Sequence, residues 1–326
     1  MSLLAPEQIE YFRNNKSAIT QDLLDALRSK GNDGKQLALD ILDTNKDDEE
    51  YHLDAYGNRI SFNGFRFLKK SYTKMNLSKI HLEEIKRCAK DLHYFKDNYI
   101  KIKTRSGVNF PDIREYQNDF LNVLNSDEEN IVTLLSRQAG KSITVGIYLT
   151  WLYCFKTDVT IGICANEGDL AAEFLNNVKN MLIELPLWMV QGTKVWNVKS
   201  ICNESDNRIL TDSPSSDSFR GFTLNVLVVD ELAFIPQQKW NDMADSVFPT
   251  MSSKSWKKNI LISTANGMNH FYEIVKRAKI HKILKEQSPD ELVELESGET
   301  MPLEEYYKLK FEGKSIEAKN VKGESE

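Results

Sequence analysis

Hydrophobic and polar positions follow two different patterns along the chain. Over roughly the first hundred residues, apolar residues recur three and four positions apart among polar ones, as in 6–31 and 77–95. That spacing predicts amphipathic helices. From about residue 109 onward it gives way to short, nearly continuous apolar runs rich in Val, Ile and Leu, at 130–136, 158–166, 224–231 and 258–266. A mostly helical N-terminal part is therefore expected to precede a region of strands.

The apolar runs predict one buried sheet. A helical pattern separates some of them, for example over 167–185. Fully apolar strands that alternate with helices are typical of a parallel sheet covered on both faces. The predicted fold class is therefore α/β, with a central, mainly parallel sheet flanked by helices and a smaller, mostly helical N-terminal subdomain. The stretch 201–213 predicts an additional hairpin or edge strand.

Weaker signals complete the domain organisation. The Tyr-Gly-Asn turn within 55–67 predicts a short hairpin, and 288–314 predicts a strand, a Ser-Gly turn and a short amphipathic helix. The end of the chain is expected to fray. We therefore divide the chain into an N-terminal subdomain 1–108, a core 109–279 and a C-terminal tail or subdomain element 280–326.

Composition and charge narrow the class of protein. The chain is 41% hydrophobic and 28% charged, which is typical of soluble globular proteins. No run approaches the roughly 18 apolar residues of a membrane span, and the first residues lack the order of a secretory signal. Four scattered cysteines predict free thiols in a reducing compartment. A net charge of -6 argues against a surface coated for DNA binding, but it leaves room for a local basic patch.

The stretch LLSRQAGKS resembles half of a phosphate-binding loop. Gly140, Lys141 and Ser142 match the end of G-x-x-x-x-G-K-[ST], whereas Leu135 takes the first glycine position. The stretch follows a predicted strand and opens a helix, which is the context that such a loop requires, because the N–H groups of a helix N-terminus face an anion. Lys141 would then reach the phosphates and Ser142 would coordinate Mg²⁺. The alternative is an ordinary strand-to-helix turn.

Two more apolar strands end in polar side chains. The run 224–231 ends in Asp230 and Glu231, and a buried acidic pair is costly unless it holds a metal or transfers protons. In nucleoside triphosphatases with a catalytic glutamate (the ASCE type of P-loop NTPase), Asp230 would orient the Mg²⁺ water shell and Glu231 would polarise the attacking water. The run 258–266 ends with Ser263, Thr264 and Asn266, whose polar groups could sense the γ-phosphate. The alternatives are an exposed acidic turn and an ordinary strand end.

A fourth element lies before the loop. Tyr116 and Gln117 stand about two dozen residues ahead of Gly140. A glutamine at that distance can recognise adenine through its amide while the tyrosine packs on the ring. The alternative is the start of an amphipathic helix with a surface glutamine.

Together, these ordered motifs resemble the large terminase, the DNA-packaging ATPase of tailed double-stranded-DNA bacteriophages of the myophage type. The resemblance covers roughly 93–278, including FPDIREYQNDFL, LLSRQAGKS, SFRGFTLNVLVVDELAFIP and ILISTANG. In that family the phosphate loop lacks its first glycine and contains an arginine. Leu135 can pack into the core here, and Gly140 stays where the backbone must approach phosphate. The alternative for Arg137 is a surface ion pair.

The resemblance implies a role for each matching residue. Glu231 and Arg137 would be catalytic, Arg137 by stabilising charge on the γ-phosphate in cis, which for such arginines is worth roughly 10³ to 10⁵ in rate. Nucleotide-binding residues would be Tyr116, Gln117, Ser136, Gln138, Ala139, Gly140, Lys141, Ser142 and Arg220. Residues coupling hydrolysis to movement would be Ser263, Thr264, Ala265 and Asn266. The metal would be held by Ser142 and Asp230, and the implied cofactors are ATP and Mg²⁺.

Two departures from the family pattern stand out. The coupling triplet is Ser-Thr-Ala, so Ala265 lacks a hydroxyl that some relatives have. The family continues into a nuclease domain, but only 48 residues (279–326) follow the similar part. That is too few for an RNase-H-like fold, so we expect the nuclease domain to be absent here and supplied elsewhere.

The resemblance also implies partners and a location. The expected partners are double-stranded DNA, the phage portal protein, the small terminase subunit and further copies in a homo-oligomeric ring, with no membrane. The expected location is the host cell cytoplasm, with transient docking on the procapsid portal. Two other hypotheses stay open: a helicase-like, nucleic-acid-stimulated ATPase, and a non-hydrolysing nucleotide-binding assembly module.

Overall fold

The computed structural model describes residues 4–42 and 52–278, together with the backbone of 292–294 and 300–302. The first part is mostly helical, as predicted. It contains α1 (Pro6–Asn14), a 3₁₀ turn (Lys16–Ala18), α2 (Gln21–Arg28), α3 (Asn32–Leu42), a β1–β2 hairpin (Ser61–Phe62 and Phe65–Lys69), α4 (Lys79–Lys90), α5 (Leu92–Tyr99) and a β3–β4 hairpin (Ile102–Thr104 and Gly107–Asn109). Side-chain caps fix two of the helix starts, because Thr20 accepts from the Leu23 N–H and Asp91 from the Tyr94 N–H.

The hairpin predicted within 55–67 lies further along the chain than its turn signal indicated. Residues around Gly57 close a single bridge between Leu53 and Arg59. The two-stranded hairpin turns instead at Asn63 and Gly64, where φ is 48° and 84°. Asn and Gly are the residues that best tolerate the positive φ of a tight hairpin turn, so the second signal determines the strand pairing.

The core region alternates strands and helices in the predicted way. Its elements are α6 (Glu115–Leu124), β5 (Asn130–Leu134), α7 (Lys141–Phe155), β6 (Thr160–Ala165), α8 (Gly168–Glu184), β7 (Thr193–Trp196), β8 (Ser200–Asn203), β9 (Arg208–Asp212), β10 (Val226–Asp230), a 3₁₀ turn (Leu232–Phe234), α9 (Gln237–Met251), β11 (Lys258–Ser263) and α10 (His270–Arg277). A separate short antiparallel pair, β12 (Leu292–Glu294) and β13 (Thr300–Pro302), flanks the predicted Ser-Gly turn. The short helix predicted after it lies outside the described residues.

Seven strands form the central sheet in the order β5-β11-β10-β6-β9-β8-β7. From β5 to β9 neighbouring strands are parallel, and β8 and β7 add antiparallel pairs at the far edge. Strand β11 thus separates the phosphate-loop strand β5 from the acidic-pair strand β10. The hairpin or edge strand predicted at 201–213 is the β8–β9 pair. This order brings the carboxyl ends of β5, β11 and β10 side by side.

Both faces of the sheet are buried because alternate residues of each strand point to opposite sides. On β10, Val226 and Val228 belong to one hydrophobic cluster, and Leu227 and Val229 belong to the other. The first cluster contains α7 and α8 and continues without a break into the N-terminal helices. The second is covered by α9 and α10.

The N-terminal helices are joined to the core by specific contacts as well as by apolar packing. The Trp151 ring of α7 donates its Nε1–H to the Cys88 carbonyl of α4 at 2.9 Å. Trp188 packs edge-on against Tyr99 with ring centroids 6.0 Å apart. All four cysteines are free and buried. In the described part of the chain, no helix combines the length and the apolar character that a membrane crossing needs.

Candidate nucleotide site

The phosphate loop leads from the end of β5 into α7. Leu135 is buried, and its N–H donates to the Ser263 carbonyl of β11 at 3.2 Å, so it extends the strand into the core. This explains why the first glycine position tolerates leucine. Gly140 caps α7 with φ 75°, a left-handed conformation that glycine adopts without steric cost. The first N–H groups of the 15-residue α7 therefore face the loop, where an anion would be stabilised.

Lys141 and Ser142 begin α7 and turn toward the acidic pair. The Lys141 ammonium lies 3.3 Å from a Glu231 carboxylate oxygen and donates to the Ser136 carbonyl at 3.4 Å. Its side chain is only 7% exposed. The Ser142 hydroxyl donates to the Asp230 carboxylate at 2.9 Å. Residues that are almost ninety positions apart in sequence thus meet at one edge of the sheet.

Glu231 is held by the end of β11. One of its carboxylate oxygens accepts from the Ser263 hydroxyl at 3.2 Å, and from the N–H and hydroxyl of Thr264 at 3.0 Å each. The backbone of Glu231 has φ 51°. A non-glycine residue in this region stores roughly 1–3 kcal/mol of strain, which is common at functional sites. From this position at the end of β10, the carboxylate contacts both Lys141 and the end of β11.

The two acids have opposite pKa shifts. Burial raises the pKa of Asp230 above its ordinary value, and the hydrogen bond from Ser142 only partly offsets this. Burial also acts to raise the pKa of Glu231, but the hydrogen bonds from Thr264 and the charge of Lys141 outweigh it and hold that pKa below its ordinary value. Glu231 is therefore kept ionised, and Asp230 is a desolvated carboxylate that a cation would stabilise.

The donor set fits Mg²⁺. The Ser142 hydroxyl and the Asp230 carboxylate are oxygen ligands of the kind that Mg²⁺ prefers, and they already face each other. A divalent ion beside Asp230 would also offset the cost of its burial. Ser142 and Asp230 are the pair predicted from sequence to hold the metal, and their binding of Mg²⁺ stays a prediction.

Tyr116 and Gln117 are directed at the phosphate loop in this structure. The Tyr116 hydroxyl and the Gln117 amide both donate to the Ala139 carbonyl, at 2.8 and 3.3 Å. Gln117 also donates to the Thr144 hydroxyl at 3.4 Å and accepts from the Arg114 N–H at 2.9 Å. Both residues are buried, so the surface-glutamine alternative is wrong. The predicted contact with adenine stays a prediction.

The remaining residues of the phosphate loop are exposed to solvent. Ser136, Arg137 and Gln138 are exposed, and Gln138 has φ 63°, another left-handed position. Within residues 4–42 and 52–278, the Arg137 side chain forms no ion pair, so the surface-pair alternative is not what this structure shows. Arg137 lies in the exposed part of the loop, between Leu135 and the start of α7.

Two residues of the described chain to which the family resemblance gives a role form no hydrogen bond or ion pair with Lys141, Ser142, Asp230 or Glu231. Arg220 is 78% exposed and pairs with Asp217 at 2.5 Å in the loop between β9 and β10. That local pair is the structural role we find for it. Ala265 is exposed after the end of β11, whereas Asn266 donates to the Ala233 carbonyl at 3.0 Å.

The structure adds residues that the motifs did not single out. The Ser263 hydroxyl accepts from the Ala233 N–H at 3.1 Å, and Asn269 donates to the Ala233 carbonyl at 2.7 Å. Asn269 also caps α10 by accepting from the N–H groups of Phe271 and Tyr272. An Asn one position before a helical pattern is a cap signal that sequence reading could have found. The segment after β10 is thereby tied to the segment after β11.

The parallel sheet, the glycine-capped loop before α7 and the acidic pair on a nearby strand define the P-loop nucleotide-binding class of α/β protein. The model of the family described as "Terminase large subunit, T4likevirus-type, N-terminal" matches residues 132–309. That match spans more than half of the 326 residues. The chain belongs to the T4-like large terminase family.

Several solved structures are similar to this chain. The Thermus phage P74-26 large terminase ATPase domain is 21% identical, with 52% of this chain and 73% of that one covered and a TM-score of 0.44. The HK97 bacteriophage large terminase is 14% identical, with 54% and 37% covered and a TM-score of 0.45. The large terminase of a thermophilic bacteriophage, in complex with ADP, is 18% identical, with 49% and 40% covered and a TM-score of 0.39. This chain thus spans well under half of the last two proteins.

Proposed function

We propose that this chain is the ATPase part of a large terminase, which hydrolyses ATP to drive double-stranded DNA into a phage procapsid. One observation carries the proposal: Lys141, Ser142, Asp230 and Glu231 converge at the carboxyl edge of one sheet, and Glu231 is bonded to the strand between them. Open α/β sheets bind their ligands at this edge. Membership in the T4-like large terminase family is what points to DNA packaging.

Each residue has a role that follows from its position. Lys141 and the N–H groups at the start of α7 bind the phosphates. Glu231 is ionised and accepts hydrogen bonds at one oxygen, so its other oxygen can orient the attacking water once the phosphates draw Lys141 away. Arg137, exposed at the rim of the loop, can reach the γ-phosphate and stabilise its developing charge.

Ser142 and Asp230 would hold Mg²⁺. The bound ion would neutralise charge on the phosphate oxygens during transfer. The hydrogen bond from the Ser142 hydroxyl to Asp230 keeps both ligands oriented toward one point.

Glu231 also connects hydrolysis to the rest of the sheet. Ser263 and Thr264 bond the same carboxylate oxygen, and Ser263 accepts from Ala233. Loss of the γ-phosphate would change the position of Glu231, and that change would be transmitted to the ends of β10 and β11. We assign coupling to Ser263 and Thr264, with Asn266 fixing the adjacent backbone.

Membership in the family supports a proposal for the wider assembly. The proposed partners are duplex DNA, the portal protein, the small terminase subunit and further copies of this chain in a ring. The proposed location is the host cytoplasm, docked on the procapsid portal during packaging.

The test is steady-state ATP hydrolysis by the wild type and by Glu231→Gln, with fluorescent-ATP binding measured in parallel. We expect the amide variant to bind ATP within about threefold of the wild type and to lose at least roughly 10²-fold in turnover, because an amide lacks the negative charge that polarises the attacking water and cannot accept its proton. Turnover by the variant at the normal rate would remove Glu231 from its role. Tight binding by a wild type that does not hydrolyse ATP would favour the assembly-module hypothesis.

A further inference from the structure

The segment 55–75, which contains the β1–β2 hairpin and which we call the basic ribbon, carries a local excess of positive charge on an acidic chain. It contains Arg59, Arg66, Lys69, Lys70 and Lys74 and no Asp or Glu, whereas the whole chain carries a net charge of -6. The preceding stretch 43–50 holds five acidic residues and one lysine. Opposite charges are thus segregated along the chain. All of the cations except Lys69 are exposed.

The ribbon also exposes aromatic rings. Tyr56 is 71% exposed, Phe65 58%, Phe67 43% and Tyr72 74%. Phe65 and Phe67 are two positions apart on β2 and therefore lie on the same face of the strand, so their exposed rings are neighbours. Lys74 lies 5.7 Å from the centre of the Tyr56 ring, so a cation and an aromatic face are presented together.

The base of the ribbon is fixed to the sheet. The Ser71 hydroxyl donates to the Thr193 carbonyl of β7 at 2.9 Å, and Lys70 forms a parallel bridge with the same residue. Glu204 accepts from the N–H groups of both Tyr72 and Gly192. The ribbon is therefore anchored at the β7 edge of the sheet, and the phosphate loop lies at the β5 edge.

The side chains at the tip of the ribbon are exposed. Phe65, Arg66 and Phe67 are all exposed, although successive residues of a strand point to opposite faces. Toward the base, Leu68 and Lys69 become buried. The ribbon thus has a fixed base and a tip that is exposed on both faces. A two-stranded ribbon of this kind can enter a groove.

We propose that the basic ribbon is a surface by which this protein contacts duplex DNA. Its exposed cations match the phosphate backbone, and the major groove admits a two-stranded β-ribbon. The exposed rings add apolar contact with sugars and base edges. An acidic protein surface could also attract these cations, but the positive charge on a two-stranded hairpin with an exposed tip favours a polyanion of regular shape. The inference rests on the proposed packaging function, and it names the surface that meets the DNA.

The experiment is a salt titration of binding to a fluorescein-labelled 40-base-pair duplex, followed by anisotropy, with the full chain. The test variant is Arg66→Gln/Lys70→Gln. The control is Lys86→Gln/Lys90→Gln, which makes the same charge change at two exposed lysines of α4. The test variant should lower the salt slope of log K by about 2 and weaken binding about tenfold, and the control should change neither.

A second variant tests the rings. Phe65→Ser/Phe67→Ser should weaken duplex binding several-fold and leave the salt slope unchanged, because it removes contact without removing charge. The exposed tip makes loss of folding an unexpected outcome, and circular dichroism checks it.

The outcomes are separable from those that test hydrolysis. Basal ATP turnover without DNA should be unchanged in both ribbon variants. A wild type that hydrolyses ATP and does not bind the duplex would overturn the ribbon proposal and leave the ATPase assignment standing. Equal losses in test and control variants would also overturn it. The proposal would also be overturned if the wild type self-associated in a salt-insensitive way and the ribbon variants did not, because the ribbon would then be a contact between protein copies.

Discussion

Gly140→Ala is a sharp test of how the phosphate loop is packed, because two separate effects act at this position. Gly140 has φ 75°, and a Cβ added to it would lie 2.3 Å from the Gln117 amide nitrogen. A left-handed conformation costs an L-residue roughly 1–2 kcal/mol. About 0.4–1 kcal/mol of that is recovered because alanine restricts the unfolded chain. Strain alone should therefore lower the free energy of unfolding by about 0.5–1 kcal/mol.

The clash adds a second cost. To make room, the Gln117 side chain must leave its bonds to the Ala139 carbonyl and the Thr144 hydroxyl. Tyr116 still donates to Ala139, so that carbonyl stays satisfied. Two long hydrogen bonds lost from a buried site are worth about 1 kcal/mol or slightly more. The expected total for Gly140→Ala is about 2 kcal/mol.

The assay is urea unfolding of four proteins: the wild type, Gly140→Ala, Gln117→Ala and the double variant. In the Gln117→Ala protein the added Cβ has space. There, Gly140→Ala should lower the free energy of unfolding only by the cost of the backbone strain. Gly31→Ala is the matched control, since Gly31 has φ +85° and a Cβ there would meet nothing within 4 Å. An equal cost of Gly140→Ala with and without Gln117, beyond error, would refute the reasoning.

Two further predictions concern groups whose charge the structure controls. Thr264→Val removes the hydroxyl that donates to Glu231 at 3.0 Å and keeps the hydrogen bond from the Thr264 N–H. ATP turnover should therefore fall about tenfold with ATP binding retained, and Thr264→Ser should restore turnover. Normal turnover in the valine variant would exclude the hydroxyl from coupling. Glu84 is buried and burial acts to raise its pKa, but the hydrogen bond and charge of Arg28, 2.8 Å away, outweigh that and lower it. The ionised Glu84 therefore contributes stability above its unfolded pKa of about 4.3, and this is lost as pH falls through the lower folded value. Urea midpoints between about pH 5 and pH 3 should fall more steeply for the wild type than for Glu84→Gln, and parallel profiles would contradict the assignment.

The sequence by itself determined the elements that carry the site. Near-continuous apolar runs predicted β5, β6, β10 and β11, because a strand buried on both faces has no polar alternation. The G-K-S at a helix start and the acidic pair at a strand end were visible because the chemistry needs those residue types at those places. Both signals are local, and local patterns are what a sequence reports directly.

Only the tertiary structure decided which of those residues meet. The contact of Glu231 with Thr264 and Lys141 depends on the strand order, in which β11 lies between β5 and β10. The same packing turned Gln117 onto the phosphate loop. It left Arg220 on the surface with Asp217. Pairings between distant segments follow from the burial of both sheet faces at once, and that is a property of the whole core and not of any one motif.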